Sequence, residues 1–157
     1  MGWASLAQNT GDQTMATTND VLAASRDFYT ALNRMARGDA AAMPDAWAKD
    51  DTVTAQHPIG GRDSGFEAVI ASFTKVAEIA GGGEIRLEDQ NIDTGSDMAV
   101  ETGVEIGTLT IAGHDAEIHH RVTNVYRVEN GTWKLAHHHT DLSPRMLEIL
   151  EQLTEAR

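Results

Sequence analysis

Histidine is the residue type best placed to do chemistry in this chain, with seven in 157 residues. An imidazole exchanges protons near neutral pH and also ligates metals. His57 stands where a β-rich stretch, TVTAQH, stops at Pro58, and the proline fixes the geometry of the turn that follows. A histidine at a strand end suits a general base or acid; its plainer role is to cap the turn. His137, His138 and His139 are consecutive near the end of another β-rich stretch. The two-residue period of a strand puts His137 and His139 on one face and His138 on the other. His-x-His is a zinc-ligand spacing that His119 or Asp141 could complete, but three consecutive histidines cannot all point at one ion without distortion. The alternative is a sheet-end cluster, partly solvated.

Residues 114–129 alternate over a long span. One face carries Ile118, His120, Val122, Asn124, Tyr126 and Val128, and the other carries His119, Arg121, Thr123, Val125 and Arg127. The first face is the more apolar and is expected to look inward. His120, Asn124 and Tyr126 then lie among apolar neighbours, where they either bond to one another, to backbone or to water, or line a ligand pocket.

Other chemistries lack their residues. Cysteine is absent, which removes disulfides, thiolate metal sites and a thiol nucleophile. No G-x-S-x-G occurs, and Ser64 and Ser143 read as helix caps. Gly60-Gly61 and Gly81-Gly82-Gly83 lack the pattern of phosphate-binding loops. Trp47 and Trp133 read as core aromatics. Twelve basic against 24 acidic residues give a formal charge of -12, with the basic residues scattered. That balance repels phosphate backbones and excludes a nucleic-acid surface. No apolar run approaches the ~20 residues of a membrane span, and the N-terminus has neither the basic nor the apolar region of a secretory signal. The cytoplasm is the expected location, and residues 1–18 are expected to be a loose polar tail.

The elements that must position these groups follow from periodicity and turn chemistry. A helix is expected over 19–37, closed by Gly38, and a second from the Asp39 cap to Trp47. A strand covers 52–57. Ser64-Gly65-Phe66-Glu67 has the form of a capping box, opening a helix that runs to Ala80 and ends at the three glycines. Strands follow over about 84–93, 97–111, 114–129 and 132–141, the last pair joined at Asn130-Gly131. Ser143-Pro144 opens a final helix. The whole is a single α+β domain over 19–157, with N-terminal helices packed on a strongly curved antiparallel sheet that forms an open-ended cone.

Three segments carry a resemblance: the Gly38-Asp39 break, DDTVTAQHPIGGRDSG, and WKLAHHHTDLSP. Over about residues 20–145 the layout resembles the nuclear-transport-factor-2-like superfamily, and within it ketosteroid isomerase and the SnoaL-like polyketide cyclases. The resemblance puts His57, in His57-Pro58-Ile59-Gly60, where ketosteroid isomerase keeps its aspartate base. It puts Asn124, in Asn124-Val125-Tyr126-Arg127, where that family has an aspartate donating to the enolate oxygen. The family's first-helix tyrosine falls near Ala31, which cannot donate; Tyr29 reads as lying on a different side of the helix, and Tyr126 could substitute from the sheet. The same register turns His138 and Thr140 inward. Alternation alone opposes this, because Trp133 and Leu135 share a side with His137 and His139, and a bulge would reverse it.

The resemblance implies a small-molecule acid–base enzyme of isomerase, cyclase or hydratase type, with no cofactor. His57 would move a proton next to a carbonyl, and Asn124, Tyr126 and His138 would hold the developing oxyanion. Trp47, His120, Val122 and Thr140 would contact the substrate. Two other readings stay open. One is a non-catalytic ligand-binding or dimerisation module. The other is carbonate or metal chemistry at HHHTD, a run similar to a motif of iota-class carbonic anhydrases, with His137 and His139 as the metal alternative. A homodimer paired through its sheets is expected from the family.

Overall fold

The computed structural model describes residues 9–156. Its elements run α1 (Asn9–Ala36), α2 (Met43–Ala46), β1 (Thr54–Gln56), β2 (Asp63–Ser64) and α3 (Phe66–Ile79), then β3 (Ala80–Thr94), β4 (Met98–Ile111), β5 (His114–Glu129), β6 (Thr132–Thr140) and α4 (Pro144–Glu155). The six strands form one curved sheet in the order β2-β1-β6-β5-β4-β3. The sheet is mixed rather than wholly antiparallel, because β1 runs parallel to β6 and pairs Ala55 with His138. A connection through α3 and the long meander separates those two strands, and only such a long crossover permits parallel pairing.

The helices cover one face. Phe28, Leu32 and Met35 of α1 and Val69, Phe73 and Ala77 of α3 are buried against Leu109, Ile111, Ile118 and Leu135 of the sheet. Phe28 stands edge-on to Trp47 and Phe73, with ring centroids 6.4 and 6.2 Å away. Trp47 is fully buried at the end of α2 and bridges to Leu135.

Several local expectations are corrected. The first helix begins at Asn9, so residues 9–18 are not a loose tail; residues 1–8 lie outside the described part. The stretch NTGDQTMATT carries almost no apolar residue, and a polar helix gives no periodic signal. Asp39 does not cap α2. Its carboxylate pairs with Arg34 and accepts from Ala41 N, and α2 starts later, with Pro44 in its first turn. The capping box at Ser64 does not form. Ser64 pairs with Thr54 in β2, and Gly65, at φ 91°, takes the cap position with no side chain to bond. The three glycines do not end α3 in a turn but begin β3 directly. A Cβ on Gly83 would collide with Thr108 O, so a glycine is needed where these two backbones approach. Ser143 caps α4 as expected, accepting from Met146 N at 3.2 Å.

One irregularity sets the interior of β6. β5 pairs Tyr126 with Leu135 but Val125 with His137, so Ala136 is an extra, unpaired residue. The bulge shifts the alternation by one. Trp133 and Leu135 face the core before it, and His138 and Thr140 face the core after it.

Candidate functional site

β5 carries His120, Asn124 and Tyr126 on its inner face, all buried; Val128, at the hairpin end, is exposed. β4 faces them with Glu101 and Glu105, which pair across the ladder with Asn124 and His120. Both glutamates are almost fully buried. Tyr29 reaches down from α1, and His138 arrives from β6 beyond the bulge.

These groups form one hydrogen-bonded chain. Glu101 accepts from Asn124 Nδ2 and Tyr126 OH at 2.9 Å each and from Gln90 Nε2 at 2.7 Å. Asn124 Nδ2 also donates to Tyr29 OH at 3.1 Å, and Tyr29 OH donates to Glu105 Oε2 at 3.0 Å. His120 Nε2 lies 2.8 Å from Glu105 Oε1. His138 Nδ1 lies 2.6 Å from Asn124 Oδ1. Two carboxylates anchor the chain, and a carboxylate only accepts, so the direction of each bond follows.

Electrostatics keep the same assignments. Burial pushes the Tyr29 and Tyr126 phenols up, with Glu105 and Glu101 adding to it, so both remain donors. Burial alone would raise the Glu105 carboxyl, but bonds from His120 and Tyr29 and the nearby His138 ring outweigh it and lower its pKa. Burial lowers His138 to about 4, against an opposing pull from Glu105. Burial also lowers His57, with Asp63 and Glu105 acting the other way.

His57 lies beyond the end of β1, with its ring edge-on to Phe73 at 4.8 Å. Its Nε2 is 2.8 Å from Ser72 Oγ and 3.6 Å from Asp63 Oδ2. Ser72 gives its own proton to Val69 O at 2.6 Å, so His57 Nε2 is the donor in its bond to Ser72. The His57 and His138 rings stand 6.2 Å apart.

A cavity of about 80 Å³ opens beside these rings. His57, Glu105, His120 and His138 form its polar part, and Phe73, Ile118, Met146 and Leu150 are among its apolar walls. The structure therefore brings His57, His120 and His138 together. Asn124 and Tyr126 stand behind the wall, with their donors committed to Glu101 and Tyr29. Trp47 packs behind Phe73, ring centroids 5.9 Å apart. Val122 and Thr140 border an open groove instead. Thr140 Oγ1 is buried without a hydrogen-bond partner among the described residues. His137 and His139 lie on the outer side of β6, with His137 Nδ1 bonded to Thr54 Oγ1 at 2.6 Å. Among the described residues no group of three His, Cys, Asp or Glu is arranged to hold a metal.

Glu101 and Glu105 are not among the residues singled out from the sequence. The signal for the glutamates was present: they alternate with Ala99, Leu109 and Ile111 on the inner face of β4. Tyr29 was set aside as facing away from Ala31, yet both residues are buried.

The sequence profile of the SnoaL-like domain matches residues 21–143, most of the chain. The chain belongs to the SnoaL-like family. Solved structures agree on the fold of this SnoaL-like domain. A nuclear-transport-factor-2-like superfamily protein from Salmonella enterica superposes with a TM-score of 0.73 at 13% identity, over 83% of this chain and 93% of that one. A candidate dehydratase of the same superfamily from Streptomyces avermitilis gives 0.70 at 23% identity, over 81% and 97%. Among curated proteins, F-box protein SKIP8 of Arabidopsis thaliana is 28% identical over 127 residues, 81% of this chain. The chain spans about half the length of that relative.

Proposed function

We propose that this SnoaL-like domain is an acid–base enzyme acting on a small organic molecule, moving a proton next to a carbonyl. The observation that supports it is the pair His57 and His138, 6.2 Å apart at one cavity and both with lowered pKa values. At pH 7 each ring is neutral, with one N–H committed to the protein and one lone pair left. A neutral imidazole is a competent base. His57 would take the proton from carbon and return it at another atom or to a leaving hydroxyl, which covers isomerisation and loss of water. Asn124, and Tyr126 through Glu101, would act as positioning residues that hold His138 in one tautomer. Glu105 fixes His120 in the same way. The apolar walls exclude water and strengthen each polar contact inside. The Streptomyces avermitilis neighbour described as a candidate dehydratase lends support.

The decisive experiment is turnover by His57→Ala on a substrate identified by screening small hydroxy and keto compounds. Loss of about two or more orders of magnitude in kcat, with the fold retained, is the expected result. Unchanged turnover would remove this mechanism.

A second reading rests on α4. Met146 and Leu150 narrow the cavity, which suits a domain that only holds a small ligand or serves to assemble copies of itself. Met98 and Val100 are exposed on the outer side of β4 and offer an apolar seam for a homodimer. A cytoplasmic, dimeric protein fits either reading.

A further inference from the structure

The hydrogen-bond directions around the cavity fix what kind of group it can receive. His57 Nε2 donates to Ser72, whose proton is already held by Val69 O. His138 Nδ1 donates to Asn124 Oδ1, because the other end of that amide is fixed by Glu101 and Tyr29. His120 Nε2 donates to the Glu105 carboxylate. Each ring has its N–H turned into the protein. The one polar ring atom left to His57 and to His138, both with lowered pKa values, is a lone pair: Nδ1 of His57 and Nε2 of His138. Neither has a partner among the described residues. Glu105 also borders the cavity, and it too only accepts.

A carbonyl oxygen brings lone pairs to a wall of lone pairs. A hydroxyl brings the missing proton. We infer that the cavity recognises its ligand through a hydroxyl group that donates to these imidazoles, so the substrate class is a small, otherwise apolar alcohol, enol or phenol rather than a simple ketone. An ammonium ion would also donate, but it would have to shed its water among Phe73, Ile118, Met146 and Leu150. The carboxylate that could compensate it already accepts from His120 and Tyr29. This inference rests on reading the cavity as the functional site. It narrows the proposed chemistry to compounds that carry a hydroxyl beside the carbonyl system, as the loss of water requires.

The test uses probes of one size that differ in one group. Cyclohexanol, cyclohexanone and cyclohexylamine are titrated into the full, untagged chain at pH 7. Binding is read by calorimetry and by the ring nitrogen shifts of His57, His120 and His138. Cyclohexanol is expected to bind about tenfold or more tighter than cyclohexanone, because a buried acceptor left without a donor costs at least that much. The amine is expected to bind no better than the alcohol. The same series is run on Leu150→Ala, which enlarges the cavity without touching its polar groups. Equal or tighter binding of the ketone, tighter binding of the amine, or no binding of any probe by either protein would overturn the inference. Failure of the enzymatic reading looks different. Alcohol preference without turnover of any hydroxy-carbonyl compound would sink catalysis alone. His57-dependent turnover of ketones that lack a hydroxyl would sink the hydroxyl rule alone.

Discussion

His138 Nδ1 sits 2.6 Å from Asn124 Oδ1, and that contact decides which nitrogen of the ring carries the proton. Asn124 cannot turn its amide over, because Glu101 Oε1 is 2.9 Å from its nitrogen and offers no donor in return. A carboxylate two bonds away thus sets the tautomer of a cavity histidine. Removing Asn124 would leave both Glu101 and His138 short of a partner in a buried setting. Asn124→Ala is expected to destabilise the fold by about 2–4 kcal/mol, read from urea unfolding. A loss below about 0.5 kcal/mol would mean that the chain of bonds contributes little.

Acid should weaken the protein well before its carboxylates titrate. Burial holds His138 at about 4 against 6.5 for an ordinary imidazole, while Glu105 opposes it and His57, His120 and His137 add to it. Between those values the unfolded chain binds a proton that the folded chain does not. Stability therefore falls as pH drops from about 6.5 to about 4, by about 3 kcal/mol from this group alone, and levels off below. The lowered His57 acts in the same sense. Unfolding free energies measured across this range should slope as stated, and the slope should flatten in His138→Gln.

Thr140 offers a gain. Its hydroxyl is buried with no partner among the described residues, so an isosteric methyl should fit better. Thr140→Val is expected to raise stability by about 0.5–1 kcal/mol in the ligand-free protein. Lower thermal stability in that variant would reveal a partner for the hydroxyl.

The close pairing of β3 with β4 depends on glycine. A Cβ on Gly107, at φ 151°, would run into Glu84 O. Gly107→Ala should cost about 3 kcal/mol or more, since backbone rather than a flexible side chain must give way. Gly113 is the contrast: its φ is 82° but nothing lies within 4 Å of a Cβ there. Gly113→Ala should cost about 1 kcal/mol. Similar losses at the two positions would refute the collision argument.

The fold was legible because its signals are local. The alternation of 114–129, the Asn130-Gly131 turn and the Ser143-Pro144 cap each act within a few residues, and each stands where expected. The inward placement of Asn124 and Tyr126 follows from the same alternation. What was hidden depends on contacts distant in sequence. Glu105 is tolerable inside only because Tyr29, 76 residues away, and His120 meet it. A strand read alone makes such a glutamate look solvent-facing. The Ala136 bulge carries no marker residue, so the facing of His138 rested on the resemblance. Residues 9–18 were missed because a polar helix leaves no apolar stripe to find.

The bulge has a meaning for how this site could arise or vanish. With Ala136 present, the run His137-His138-His139 offers its middle ring to the interior. With Ala136 drawn into the ladder as an ordinary strand residue, parity would exchange the roles: the outer two histidines would point inward and the middle one outward. The bulge itself thus separates a wall with one imidazole from one with a His-x-His pair, while loss of Ala136 together with the bulge would leave His138 where it is. Homologues should be sorted by whether residue count and bulge agree at this point before their chemistry is compared.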